Sequence, residues 1–254
     1  MLKAPLVLIH GFTDTPRTWD LVRPWLEERH DVVAPALPGH AGGPAIADVV
    51  DTDVAVAEVE RVMDARGWDT AHVAGNSFGG YVALQLAERG RARTVTALAP
   101  AGGWAAGDES YKNVLRHFPQ VQQEVRQYLG QADALMQTDI GRRRATATTT
   151  VNYQHIPPDL LADQFRAVAQ CTALEPMTAL AQTQGWVLDP ARVDCPLRFV
   201  WGMEDVLLPW PRAAARYRAW FPAADWIELQ DVGHAIQLDV PREAAQLILG
   251  HTGG

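Results

Sequence analysis

Ala71-His72-Val73-Ala74-Gly75-Asn76-Ser77-Phe78-Gly79-Gly80-Tyr81 passes from a short apolar run, through a glycine-flanked turn, into a run of helix formers. Residues 71–74 read as a buried strand, and Tyr81 to Arg89 as a helix closed by Gly90 in a C′ position. Between them Gly75-Asn76-Ser77-Phe78-Gly79 fits G-x-S-x-G, a serine on a sharp strand-to-helix turn with its hydroxyl exposed above a sheet. The glycines leave room for strand and helix to pack close around a strained residue. A phosphate cradle is the other use of such a turn. It is set aside because G-x-x-x-x-G-K-[ST] is absent and no lysine follows. Ser77 is therefore the candidate nucleophile.

Outward from this turn, strand-like and helix-like runs alternate, the pattern of an α/β protein with a mostly parallel, doubly covered sheet. Leu6-Val7-Leu8-Ile9 has no polar face and reads as a central strand ending in His10-Gly11. Asp20 then reads as the N-cap of a helix with Pro24 in its first turn. Further strands are expected at 31–35, 95–99, 197–201 and 226–229, and helices at about 52–66, near 210–220 and from Pro241 onward. Between about 104 and 190 the strand signal vanishes and polar helical segments, including 120–130 and 159–170, take over. That is too long for a loop. The expectation is one α/β domain built from 1–103 and 191–254, interrupted by a helical insertion at 104–190.

Composition narrows the partners. Of 254 residues, 48% are hydrophobic and 20% charged, an ordinary globular mix. The net charge of −8 lacks the basic footprint of a nucleic-acid binder and disfavours an anionic membrane surface. No apolar run approaches a membrane span, and Met1-Leu2-Lys3-Ala4-Pro5 lacks signal-peptide organisation, so the expected location is cytoplasmic. Cys171 and Cys195 form no disulfide framework and no metal-ligand spacing. They read as structural thiols, and no metal is expected.

A serine at its ordinary pKa needs a base, and the base needs an orienting acid. Of eight histidines, His234 in Asp231-Val232-Gly233-His234 follows the last strand, at the carboxyl edge where Ser77 also emerges and where ligands of open α/β sheets collect. His10 braces the first loop, His40 reads as a turn residue, His72 as strand-borne, and His30 and His251 as surface. His117 and His155 belong to the insertion. The acid falls in Trp201-Gly202-Met203-Glu204-Asp205, after an apolar strand, as either Glu204 or Asp205. Asp231 is too near His234 to orient it and reads as a turn former.

Taken in order, His10-Gly11-Phe12, Leu37-Pro38-Gly39-His40, Gly75-Asn76-Ser77-Phe78-Gly79-Gly80, Gly202-x-x-Asp205 with Pro209 beyond, and Gly233-His234 make the chain resemble an α/β-hydrolase fold serine hydrolase. The resemblance covers the chain outside the insertion. It implies a sheet of about six parallel strands without the antiparallel hairpin that opens many members, and it selects Asp205 as the acid. It also implies an oxyanion hole from the backbone N–H groups of Phe12 and Phe78, no cofactor, and a cap made by the insertion. Trp104, Tyr153, Met177 and Trp186 are the candidates for walling a substrate pocket, while Arg142-Arg143-Arg144 reads as a solvated helix face.

The expected reaction is hydrolysis of a small-molecule carboxylic ester or thioester by a monomer or homodimer. Two alternatives stand beside it. Asn76 and Pro100-Ala101-Gly102-Gly103 resemble carbon-carbon bond hydrolases of the meta-cleavage-product type, although Ala235-Ile236 after His234 and Phe12-Thr13-Asp14 depart from their pattern. A low-turnover ligand receptor on the same fold is the other.

Overall fold

Six short runs pair in parallel into one sheet: β1 (Ala4–Ile9), β2 (His30–Val33), β3 (Ala71–Asn76), β4 (Ala92–Leu98), β5 (Leu197–Gly202) and β6 (Asp225–Leu229), in the order β2-β1-β3-β4-β5-β6. The computed structural model describes residues 3–46 and 50–253; Met1 and Leu2 of the opening stretch, residues 47–49 and Gly254 lie outside the described residues. The sheet is the α/β-hydrolase arrangement expected, with every pairing parallel. Because β1 and β3 are central, their ends lie side by side, and Leu8 and Ile9 stand opposite Ala74 and Gly75.

The alternation of side chains along the strands divides the core in two. Val7, Ile9, Val73, Val95 and Phe199 pack against helices α2 (Val54–Ala65) and α3 (Phe78–Glu88) on one face. Leu6, Leu8, Ala74, Leu98 and Val200 pack on the other against Leu26 of α1 (Arg23–Glu27) and the last helix. Both faces are therefore dry over the inner strands, which is why β1 reads as an unbroken apolar run, whereas the edge strands β2 and β6 carry exposed Asp31 and Glu228.

Between β4 and β5 the chain forms α4 (Tyr111–Gln127), α5 (Ala132–Met136), α6 (Asp139–Thr146), α7 (Pro158–Gln170) and α8 (Leu174–Gln184). Their shared apolar face is small: Met136, Leu160 and Leu161 cluster with Leu238 of the short α10 (Ile236–Asp239). The remaining helices, α9 (Ala215–Trp220) and α11 (Pro241–His251), flank β6.

Three sequence expectations change. Asp20 caps no helix: it closes a 3₁₀ turn over Pro16–Trp19 and pairs with Arg17 at 2.9 Å, while α1 starts at Arg23 without a side-chain cap. The helix expected at 120–130 begins earlier, at Tyr111, because Pro119 is carried inside α4. His30 is buried, its ring edge-on to His72 at 5.7 Å, because it opens a strand paired with β1 and not a surface loop.

Candidate active site

The turn bearing Ser77 is built by exclusion. A Cβ on Gly75 would stand 2.2 Å from the carbonyl oxygen of Gly79, and one on Gly79 would stand 2.2 Å from that of Ile9. No side chain fits at either place, so α3 can start against the ends of β1 and β3 only with glycine at both. Ser77 between them takes φ 55° and ψ −118°, a conformation that costs a residue with a Cβ about 1–3 kcal/mol. Its backbone is held there on both sides. The N–H donates to Leu98 O at 2.9 Å, and the carbonyl accepts from the amides of Gly80, Tyr81 and Ala101 at 3.0–3.2 Å.

Asp205 and His234 arrive from two later strand ends. A Cβ on Gly202 would lie 2.2 Å from Gly233 O, so the exits of β5 and β6 pack backbone against backbone. Asp205 Oδ2 accepts from His234 Nδ1 at 2.7 Å, and Oδ1 accepts from the amides of Leu207 and Leu208 at 2.9 and 2.7 Å. Glu204 is exposed. With the carboxylate as acceptor, Nδ1 carries the imidazole proton and Nε2 keeps its lone pair. Buried Nε2 has no hydrogen-bond partner among the described residues, and His234 and Ser77 line the same cavity, of about 460 Å³.

The loop after β1 runs past the serine: a Cβ on Gly11 would touch Ser77 Cβ at 3.5 Å. Neither Phe12 N–H nor Phe78 N–H reaches a backbone acceptor among the described residues, and their rings meet edge to face at 5.9 Å. Behind them His10 bridges two loops, its Nδ1 donating to Gly11 O at 2.8 Å and its Nε2 accepting from Leu37 N–H at 3.1 Å. Burial holds this imidazole neutral, with its pKa down to about 4, and that of neighbouring His40 to about 3.

Trp104, Met177 and Trp186 line a second, narrower cavity with Ser77. Tyr153 lines neither cavity. Its hydroxyl donates to Asp139 Oδ1 at 3.1 Å, because a half-buried phenol on the insertion finds its polar partner at the surface of α6. Arg143 and Arg144 are exposed, as a solvated face requires, although Arg144 also lines the larger cavity, whereas Arg142 is half-buried and donates to Gln154 O at 3.2 Å. Asp231 forms a turn at φ 58°.

Two acids escaped the sequence reading. Asp239 Oδ2 accepts from the amides of Gly233 and Val151, at 2.6 and 2.9 Å, and Oδ1 from Asn152 at 2.6 Å. It thus ties the His234 loop to the insertion. Asp14 lines the larger cavity and is held by Thr15 N–H at 2.8 Å and Gln164 Nε2 at 3.0 Å. Burial pushes its carboxyl pKa up, against the hydrogen bonds that lower it. The available signals were an acid inside the apolar run Ala235–Val240 and an acid directly after His-Gly-Phe-Thr.

A strained serine at the carboxyl edge of a parallel sheet, with a buried Asp-His pair from later strand ends, defines a hydrolase class. The chain belongs to the alpha/beta hydrolase fold family, whose sequence model matches residues 4–241. It is 30% identical over 195 residues to an epoxide hydrolase of Mycobacterium tuberculosis, covering 75% of this chain and 89% of that protein. It is 31% identical to the pimeloyl-[acyl-carrier protein] methyl ester esterase of Aromatoleum aromaticum, covering 98% of each. A shorter match, 36% identical over 39% of this chain and 37% of the other, is to a 2-hydroxymuconate semialdehyde hydrolase of a Pseudomonas species. Among the described residues no helix is long and apolar enough to cross a membrane.

Proposed function

We propose that this hydrolase cleaves small-molecule carboxylic esters, with thioesters the nearest extension, through an acyl-enzyme on Ser77. The observation that carries the reading is the strained Ser77 sharing a cavity with a His234 whose Nδ1 is bound to buried Asp205 and whose Nε2 is unengaged.

Ser77 Oγ attacks the acyl carbon and its proton passes to His234 Nε2, a transfer worth typically ~10²–10⁴ in rate. Asp205 fixes the tautomer and stabilises the imidazolium that forms. The negative oxygen of the tetrahedral intermediate is taken by the Phe12 and Phe78 amides, each such donor contributing about 2.7–4 kcal/mol. The imidazolium protonates the departing alcohol. A water deprotonated by His234 then cleaves the acyl-enzyme, releasing the acid and restoring the serine. Residues 104–190 act as the cap that encloses the substrate.

The epoxide relative does not carry its reaction to this site. Opening an epoxide with an alkoxide would leave an ether on Ser77, which water cannot hydrolyse as it does an ester. The carbon-carbon reading draws support from the partial match to a semialdehyde hydrolase. Asn76, its sequence signal, has its amide committed to the carbonyls of Leu98 and His234 at 3.1 and 3.0 Å, a bracing role.

The test is turnover of p-nitrophenyl esters by wild type and Ser77→Ala, with labelling by a fluorophosphonate. Ester turnover that drops by at least ~10³ in the variant, with label on Ser77, is expected. Equal inactivity of both proteins and no label would leave the low-turnover receptor as the better account. Fast cleavage of a diketone ring-fission product with feeble ester turnover would promote the carbon-carbon reading.

A further inference from the structure

Two unlike cavities meet at Ser77. Ser77, Phe12, Phe118 and Leu207 line both. The narrow one, about 60 Å³, is walled by Phe78, Tyr81, Trp104, Met177 and Trp186. With a water's share of liquid volume at roughly 30 Å³, that is the room of about two waters, enough for a short apolar chain only. The wide one, about 460 Å³, carries the polar groups: Asp14, Asn76, Gln164, Arg144 and His234 among them.

His234 lines the wide cavity and not the narrow one. Since the imidazolium must reach the departing oxygen, the alcohol half of an ester leaves into the wide cavity. The acyl half is then left to the narrow slot on the Phe78 side. Trp186 is fixed as part of that slot. It packs edge-on to Tyr81 at 5.0 Å and stacks with Trp104 at 6.4 Å, while the Tyr81 hydroxyl donates to Val187 O at 2.6 Å and accepts from Val187 N–H at 3.0 Å.

Asp14 stands in the alcohol cavity with no arginine or lysine paired to it among the described residues, His234 being the basic group whose charge acts on it. Arg17, nearest in sequence, is drawn outward to Asp20, Asp159 and Asp163. Gln164 from α7 and Thr15 instead orient the carboxyl, and Thr18 beside it is fixed by Gln237 Nε2 at 2.8 Å. A carboxyl kept at a cavity wall by neutral donors has acceptor capacity left for a donor that the ligand brings.

We propose that the substrate is an ester of a short apolar acid with a bulky alcohol whose hydroxyl or protonated amine binds Asp14. The proposal rests on the ester reading above. Hydrolysis adds one water across the acyl-oxygen bond and releases the acid from the slot and the alcohol from the wide cavity.

The experiment uses the full chain and internal ratios. With the acyl group held as butyryl, kcat/KM is measured for ethyl butyrate, glyceryl monobutyrate and 2-(dimethylamino)ethyl butyrate, on wild type and Asp14→Asn. Wild type should favour glyceryl monobutyrate or protonated 2-(dimethylamino)ethyl butyrate over ethyl butyrate by roughly ten- to hundred-fold, the effect of one hydrogen bond to a charged group. Asp14→Asn should collapse that ratio toward one. A preference for the glyceryl ester alone identifies a neutral polyol, and for the dimethylaminoethyl ester alone a cationic alcohol. The wild-type ratio decides the matter even where the variant does not fold.

In parallel, p-nitrophenyl acetate, butyrate, octanoate and palmitate should give a maximum at butyrate, moved to octanoate by Trp186→Ala. Two results overturn the inference: ethyl butyrate turned over as well as the other two, or octanoate and palmitate turned over as well as butyrate by wild type. If no ester is cleaved and fluorophosphonate leaves Ser77 unlabelled, the ester reading itself falls and takes this one with it. A labelled Ser77 with a flat alcohol ratio sinks only this one.

Discussion

The Ser77 turn and the helical insertion over it are held by opposite means. The turn is fixed by what cannot be there: Cβ positions on Gly75 and Gly79, like one on Gly202 at the exit of β5, would each fall 2.2 Å from a carbonyl oxygen. The insertion is fixed by what reaches across. Arg17 pairs with Asp159 and Asp163, Gln164 with Asp14, the amides of Val151 and Asn152 with Asp239, and those of Thr172 and Ala173 with Gly39 O. Steric exclusion tolerates no adjustment, whereas polar anchors are individually modest and replaceable. On the proposed function, the part that performs the chemistry is thus rigid, and the part that encloses the substrate is adjustable.

The sharpest way to break this contrast is Gly75→Ala. The added methyl should cost at least about 3 kcal/mol, at the upper end of overpacking effects, because the obstacle is backbone. Urea unfolding with an unchanged m-value would measure it, and a loss under 1 kcal/mol would mean that the turn yields.

Acid tests the rigid side a second way. The folded chain keeps His10 neutral, with its pKa lowered from 6.5 to about 4, while the unfolded chain binds a proton below about 6.5. Stability is therefore full above pH 6.5 and falls as pH drops toward 4, by up to about 3 kcal/mol from this group. The proton would enter at Nε2, facing the Leu37 N–H that Nε2 now accepts. Stability measured from pH 7 to 4 should lose this slope in His10→Gln.

Asp239→Ala probes the junction between the two regions. Three amides lose their acceptor, which should cost about 1–3 kcal/mol. Hydrogen exchange should rise at residues 149–152 and at the His234 loop together; a rise confined to one of them would deny the coupling. Arg17→Ala should have the smallest effect, below about 1 kcal/mol by thermal unfolding, because its side chain is 41% exposed and its pairs are screened by solvent. A larger loss would place the insertion among the rigid parts.

Legibility in the sequence followed the same divide. Leu6–Ile9, Ala71–Ala74 and Leu197–Trp201 announced buried strands because both faces of the sheet are covered. Gly75 and Gly79 announced the elbow because only glycine fits, and Gly202-x-x-Asp205 and Gly233-His234 marked the other two strand ends. Asp20 misled as a cap, since a 3₁₀ turn ending there uses the same residue type. Tyr153 misled as a wall, since its phenol satisfies itself at Asp139. Asp14 and Asp239 were missed because the sequence does not say which distant amides a carboxylate will meet.

The order of local signals along the chain determined, by itself, the six-stranded parallel sheet and the strand ends carrying Ser77, Asp205 and His234, because periodicity and steric necessity are written residue by residue. The family resemblance had already selected Asp205 over Glu204; only the tertiary structure decided that Asp14 lines the His234 cavity and that Trp104, Met177 and Trp186 enclose a separate slot. Those are relations between residues far apart in the chain, and they exist only once the strands have brought the loops to one edge.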